Sequence, residues 1–111
     1  VEAVVPNTLV YRASYPSTAT FYRRGWQWNM QQIRANLATA TGVGRRVCII
    51  DSGVDPDHQD LAGKVVAARA FPGTVTYLPE ADSDGHGTHV ASTVTSNGIG
   101  VEGVAPGAQI M

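Results

Sequence analysis

Two side chains of this sequence are placed where they could exchange a proton. Asp51 directly follows the segment Arg45 to Ile50, which ends in a short apolar run, and is followed by Ser52 and Gly53, which allow a sharp turn. His86 stands between two glycines at the head of a second apolar run, so no neighbouring side chain crowds its ring. If Asp51 reaches one ring nitrogen, it fixes the tautomer and supports the imidazolium, which leaves the other nitrogen as a general base.

The elements that would position this pair are typical of an α/β fold. Residues 45–50 (RRVCII) end in a continuous apolar run rich in β-branched side chains. This predicts a parallel strand buried on both faces, with Cys48 as a small buried hydrophobe. Residues 64–71 and 103–111 predict two further strands. Because ligands of open parallel sheets bind at the carboxyl ends of the strands, Asp51 lies where a site is expected.

One helix is predicted before the first of these strands and another between the second and the third. The first covers residues 29–40, capped by Asn29, with an apolar stripe at i, i+3 and i+7: Met30, Ile33 and Leu37. The second runs from about Thr88 to Ser96 with one apolar face: Val90, Ala91 and Val94. His86 then lies at or just before a helix N-terminus, where the dipole disfavours an imidazolium. A role through the charged ring therefore needs a carboxylate, and Asp51 is the candidate.

The composition narrows the classes of protein. The 111 residues are 43% hydrophobic and 15% charged with a net charge of −1, which fits one folded domain or a piece of a larger one and argues against a nucleic-acid partner. A single cysteine excludes a disulfide framework and a thiolate metal cage. No run predicts a membrane span or a signal peptide, and Val1 in place of Met suggests a processed product.

Three co-linear segments, within roughly Trp26 to Met111, resemble those of subtilisin-like serine peptidases. VCIIDSGVDPDHQDL resembles the family's segment around its catalytic Asp, DGHGTHVAS the segment around its catalytic His, and GIGVEGVAP the stretch that leads to the next central strand. The resemblance implies a doubly wound parallel sheet of the subtilisin type, incomplete in this chain. It makes Asp51 the triad Asp and His86 the triad base.

The resemblance also implies what is missing. The family's nucleophilic serine, in a G-T-S-M-A-like motif, and its oxyanion-hole asparagine would lie beyond Met111. None of the six serines has that context: Ser14, Ser17, Ser52, Ser83, Ser92 and Ser96. We therefore expect an exported serine endopeptidase that needs no cofactor for its chemistry and acts on peptides or proteins. We expect these residues alone to be inactive, with the C-terminal half or a partner chain supplying the serine.

The start of the chain predicts a division into two parts. VEAVVPN, residues 1–7, resembles the end of a subtilase inhibitory pro-region, whose last strand precedes the maturation site. Residues 1–20 are then the end of a pro-region and a linker, and residues 21–111 the N-terminal part of the catalytic domain, in a fragment of a zymogen. The other interpretation is a plain N-terminal extension.

One metal site is implied by the same resemblance. Asp60 matches a position that in many family members helps to bind a structural calcium ion. Ca²⁺ needs six or more oxygen ligands, and the other usual donors come from the loop after the His helix, which is short here at residues 96–101. Otherwise Asp55, Asp57 and Asp60 form a solvated acidic turn.

Three other interpretations remain open. The chain could be a non-catalytic module, such as a truncated or complementing subtilase-like fragment. It could be a metal hydrolase using His86 and His89, although the i, i+3 spacing lacks the Glu of H-E-x-x-H zincins. Finally, Asp51 could cap a turn and His86 could be a loop histidine.

Overall fold

The computed structural model describes residues 25–71, 82 and 84–111. In chain order these residues form α1 (Trp28–Gln32), a 3₁₀ helix (Ala35–Leu37), β1 (Arg46–Val47), α2 (His86–Thr95) and β2 (Gln109–Ile110). The predicted pro-region end and linker, residues 1–20, lie outside the described residues. Within the described part, no helix has the length and apolar character that crossing a membrane requires.

The sheet is parallel. β1 pairs with β2 in the register Arg46 to Gln109 and Val47 to Ile110. On the other side of β2, Ile110 forms a parallel bridge with Val65, so β2 lies between the two other segments. The α/β class is thereby confirmed. The predicted strand at residues 64–71 is reduced to this one bridge, and a doubly wound sheet remains a prediction.

The core lies between the sheet and α2. Its buried members are Leu61, Ala91 and Ile110, and five partly buried side chains pack against them: Val47, Ile49, Val54, Val65 and Val94. Ala91 and Val94 come from α2, on the face that the sequence predicted for burial. The core thus fastens the helix that begins with His86 to the strand that leads to Asp51.

The run through β1 is buried on one face rather than two. Side chains alternate along a strand, and Val47 and Ile49 face the core whereas Cys48 is exposed and Ile50 is 87% exposed. The prediction that both faces are buried, with Cys48 as a buried hydrophobe, is wrong for these residues. The reason is that α2 covers only one face of the sheet.

The predicted helix at residues 29–40 exists only in part. α1 ends at Gln32, because Arg34 adopts a left-handed conformation with φ 57° before the 3₁₀ helix begins. Asn29 lies inside α1 and does not cap it. Ile33 and Leu37 are each 63% exposed, so only Met30 of the predicted stripe is buried.

Candidate active site

The two predicted site residues come from different elements. Asp51 follows the β1 run two residues after Ile49, whose N–H makes a 2.9 Å ladder bond to the Met111 carbonyl. His86 is the first residue of α2, after Gly85, which has a φ of 83°. The prediction that His86 lies at a helix start is confirmed. A strand end and a helix start, both anchored on the core, therefore hold this pair.

The structure brings Asp51 and His86 into direct contact. The Nδ1 atom of His86 lies 2.7 Å from Oδ1 of Asp51, across 35 positions of sequence. The histidine side chain is 63% exposed and that of the aspartate 18%. Among the described residues, Nε2 of His86 has no hydrogen-bond partner. With its proton on Nδ1 donated to Asp51, the ring presents a free lone pair on Nε2.

The contact changes the proton affinities of both groups. The hydrogen bond from His86 lowers the pKa of Asp51, and the Ser52 N–H, 2.7 Å from Oδ1, adds to this. The same hydrogen bond and the charge of Asp51 raise the pKa of His86, with smaller contributions from the charges of Asp84 and Asp82. At this helix start the carboxylates therefore outweigh burial and the helix dipole, both of which disfavour an imidazolium.

Asp82 is a third residue of the site, which the sequence analysis did not single out. Its Oδ1 accepts hydrogen bonds from Gly85 N–H at 2.9 Å and from the Ser52 hydroxyl at 2.8 Å. Its Oδ2 accepts from Thr88 N–H at 2.7 Å and from the Thr88 hydroxyl at 2.6 Å. An acidic residue just before a helix, with a threonine in the first turn, is the signal that could have indicated it.

Burial and hydrogen bonding act in opposite directions on Asp82. Partial burial raises its pKa, but the hydrogen bonds from Thr88, Ser52 and Gly85 outweigh burial and hold the pKa well below the usual range of a carboxyl. The group is therefore a carboxylate that only accepts hydrogen bonds. It satisfies two N–H groups at the start of α2 that have no partner within the helix.

The arrangement around Asp60 does not fit a calcium ligand. The residue is 1% exposed, and its carboxylate accepts hydrogen bonds from the backbone N–H groups of Ile99, Gly100 and Val101, at 2.7 to 3.2 Å. Because N–H hydrogens occupy the lone-pair directions that a cation would need, the carboxylate closes the loop after α2 instead. In the described part of the chain, no three His, Cys, Asp or Glu residues group closely enough to hold a metal ion.

The alternative of a solvated acidic turn holds for two of its three members. Asp55 and Asp57 are exposed, and Asp55 Oδ1 accepts the Asp57 N–H at 3.0 Å. Asp60 is not solvated, and burial, which raises its pKa, is outweighed by the hydrogen bonds of Ile99, Ser96, Gly100 and Val101, which lower it. Through these hydrogen bonds, Asp60 holds the turn at 98–101 against the segment that follows β1.

Comparison with known proteins decides the family. The model of the subtilase family matches residues 42–111, which include Asp51, Asp60, Asp82 and His86. The chain belongs to the subtilase family. It is 41% identical to thermitase of Thermoactinomyces vulgaris over 77% of the chain and 32% of that protein. It is 36% identical to a thermophilic serine proteinase of Bacillus sp. over 100% of the chain and 28% of that protein.

A third relative is subtilisin E of Bacillus subtilis, 38% identical over 80% of the chain and 24% of that protein. This subtilase chain therefore spans a third or less of the length of the curated relatives it matches. No serine among the described residues bonds to His86 Nε2. The serine at position 52 instead donates its proton to Asp82.

Proposed function

We propose that this chain is the N-terminal part of a serine endopeptidase that hydrolyses peptide bonds through an Asp-His-Ser triad. Asp51 and His86 are the two triad members within it. The observation that carries the proposal is the 2.7 Å contact between Asp51 Oδ1 and His86 Nδ1, with no hydrogen bond to Nε2 from any residue that the structure describes. Membership of the subtilase family and relatives named as serine proteinases support it.

In the proposed reaction a serine from outside these residues attacks the scissile carbonyl. His86 Nε2 takes the hydroxyl proton as the new C–O bond forms, then delivers it to the leaving amine as the C–N bond breaks. Asp51 accepts a hydrogen bond from the Nδ1–H group throughout, so the ring keeps its tautomer and its transient positive charge is stabilised. Water then attacks the carbonyl carbon of the acyl-enzyme while His86 takes its proton. As the bond to the serine oxygen breaks, His86 returns the proton to the serine, and the carboxylic acid product is released. No cofactor takes part in these steps.

The edge of the sheet at β1 supports a proposal about the rest of the domain. The outer edge of β1 presents the backbone groups of Arg46, Cys48 and Ile50, which make no ladder hydrogen bonds in the described part of the chain. The side chains of Cys48 and Ile50 lie exposed beside that edge. Parallel strands are ordinarily covered on both faces. We infer that the C-terminal half of the domain, or a chain supplying it, covers this surface, and that residues 1–111 alone are inactive.

The remaining features of the proposal concern the wider protein. Residues 21–111 are proposed as part of the catalytic domain, preceded by the end of a pro-region at 1–20, so that the full protein is a zymogen. We propose export, supported by a relative named minor extracellular protease Epr, of Bacillus subtilis, at 37% identity. Another relative, of Paenibacillus polymyxa at 43% identity, is named an intracellular serine protease. The substrates are peptides or proteins.

The proposal also includes a structural calcium ion in the full-length protein. Two relatives, from Trichormus variabilis and a Nostoc species, are named calcium-dependent proteases, at 36% and 38% identity. Asp60 was the predicted ligand, but its carboxylate is occupied by backbone N–H groups. A calcium ion in this protein would therefore need other oxygens.

The decisive experiment is labelling of the full-length protein with a fluorophosphonate, which reacts with an activated serine. We expect His86→Ala to abolish labelling. His89→Ala is the matched control, because this histidine is also exposed and lies three residues further along α2. We expect it to label as the parent does. Equal labelling of His86→Ala and the parent would refute the role of His86.

The non-catalytic module stays the second candidate because no serine of the chain lies in a nucleophile motif. It requires a natural stop codon soon after the codon for Met111. The gene sequence beyond that codon therefore separates the two candidates directly.

A further inference from the structure

Two hydroxyl groups cross-link the turn after β1 to the start of α2, and Asp82 joins them. The Ser52 hydroxyl accepts the Gly87 N–H at 3.0 Å and donates to Asp82 Oδ1 at 2.8 Å. The Thr88 hydroxyl accepts the Asp55 N–H at 3.0 Å and donates to Asp82 Oδ2 at 2.6 Å. Each hydroxyl therefore accepts a backbone proton from the opposite segment and gives its own proton to the same carboxylate.

The direction of these bonds depends on the charge of Asp82. A hydroxyl has one proton and two lone pairs, so each of these hydroxyls accepts from a backbone N–H through a lone pair while it donates its proton to an acceptor. An ionised carboxylate is such an acceptor, and here each of its oxygens accepts two donors. An amide at position 82 would turn an NH₂ group toward two of those donors, whichever way it was oriented.

This network includes the residues on both sides of His86 and the residue that follows Asp51. His86 lies between Gly85 and Gly87, and the N–H groups of both glycines bond within the network. Asp51 directly precedes Ser52, whose hydroxyl is the first link. The histidine ring itself is 63% exposed and has little packing to hold it. The position of Nδ1 therefore depends on its hydrogen bond to Asp51 and on the backbone on either side of His86.

We propose that Asp82 and Ser52 are positioning residues for the Asp51–His86 pair, holding the two segments so that Nδ1 stays in hydrogen-bond contact with the Asp51 carboxylate. This inference rests on the proposed peptidase function. Neither residue touches the reacting atoms, so their loss acts through the geometry of the pair. A misplacement of about 1 Å can lower a catalysed rate on the order of 10²-fold.

The first test compares Asp82→Asn with Asp84→Asn in the full-length protein. Both substitutions remove one negative charge that acts on His86, but only Asp82 accepts the four bonds of the network. We expect Asp82→Asn to lower kcat on the order of 10²-fold with KM for a peptide substrate nearly unchanged. We expect Asp84→Asn to stay within about twofold of the parent. Equal kcat values for the two variants would overturn the proposal.

The second test measures the contact between Asp51 and His86 without relying on enzyme activity. The charged groups acting on His86 are Asp51, Asp84 and Asp82, and NMR titration of the ring reports its pKa. We expect this pKa to fall toward the ordinary histidine value in Asp82→Asn and in Ser52→Ala. It should stay raised in Ser52→Thr, which keeps the hydroxyl, and shift only slightly in Asp84→Asn.

The two tests fail separately. If Asp82→Asn does not fold, the comparison of Ser52→Ala with Ser52→Thr decides the matter. A parent without peptidase activity would refute the proposed function, while the titration would still show whether the network positions the ring. An unchanged His86 titration in Ser52→Ala would refute the positioning role even in an active peptidase.

Discussion

Gly87 and Gly53 are in backbone contact, and a side chain at position 87 could not be accommodated there. A β-carbon on Gly87 would lie 2.0 Å from the carbonyl oxygen of Gly53 and 3.3 Å from the β-carbon of Asp51. The second residue of α2 thus packs directly on the turn that carries Asp51. This close approach lets the ring of His86, one residue earlier, reach the carboxylate.

Gly87→Ala should therefore push the start of α2 away from the turn. We expect a lower melting temperature and the loss of fluorophosphonate labelling in the full-length protein. Gly63→Ala is the control: its φ of +77° strains an alanine, at a cost of roughly 1–2 kcal/mol, but no atom lies within 4 Å of the added carbon. If both variants melt and label alike, the contact at Gly87 does not position the pair.

The raised pKa of His86 predicts how activity depends on pH. The ring acts as a base only when neutral, so activity should fall as the pH drops through that pKa, above the ordinary value of about 6.5. Asp51→Asn removes the hydrogen bond that raises the pKa, so the acidic limb of kcat/KM should move to lower pH. The rate should also fall about 10⁴-fold, because the ring loses its required tautomer.

This prediction is checked by measuring kcat/KM between about pH 5 and about pH 9. Asp84→Asn serves as the control, because Asp84 acts on His86 through its charge alone. Its limb should shift much less than that of Asp51→Asn. An acidic limb that stays in place in Asp51→Asn would mean that another group controls the profile.

Asp60 is expected to contribute to stability rather than to metal binding. Asp60→Asn would place an NH₂ group against backbone N–H donors in a buried position, at a cost of about 1–3 kcal/mol in the free energy of unfolding. Asp57→Asn, at an exposed residue three positions earlier, should cost under about 0.5 kcal/mol. Urea unfolding of the full-length protein measures both.

The effect of calcium on stability gives a second test of the role of Asp60. The N–H groups around Asp60 lead us to expect that any stabilisation by CaCl₂ is the same in the parent and in Asp60→Asn. A calcium-dependent rise in melting temperature that disappears only in Asp60→Asn would instead establish this carboxylate as a calcium ligand.

The exposed side chains of β1 and of the residues after it allow a test of whether the C-terminal half of the domain covers the sheet. Cys48 is exposed in these residues, so a thiol reagent should modify it in the 111-residue chain without denaturant. In the full-length protein we expect protection. Ile50→Ser should likewise change the stability of the short chain by less than about 0.5 kcal/mol, and that of the full-length protein by about 1.5–3 kcal/mol. Rapid modification of Cys48 in the full-length protein would contradict the proposed cover.

Local signals in the sequence were sufficient for several features of this protein. An apolar run before Asp51 and an apolar periodicity after His86 predicted a strand and a helix, because both patterns follow from the local geometry of the backbone. The helix start at His86 and the parallel sheet were predicted for the same reason. The motifs around Asp51 and His86 are long and lie in the right order, so they were specific enough to indicate the subtilase family.

How these elements meet depends on contacts between distant parts of the chain. The hydrogen bonds of Asp82 to Ser52 and of Asp60 to Ile99 join residues 30 and 39 positions apart, and no local pattern encodes such pairs. The exposure of Cys48 and Ile50 was likewise hidden, because a continuous apolar run does not reveal which face has a covering helix. Residue types and spacing established which side chains could do chemistry, whereas the packing of α2 on one face of the sheet brings Asp51 and His86 into contact.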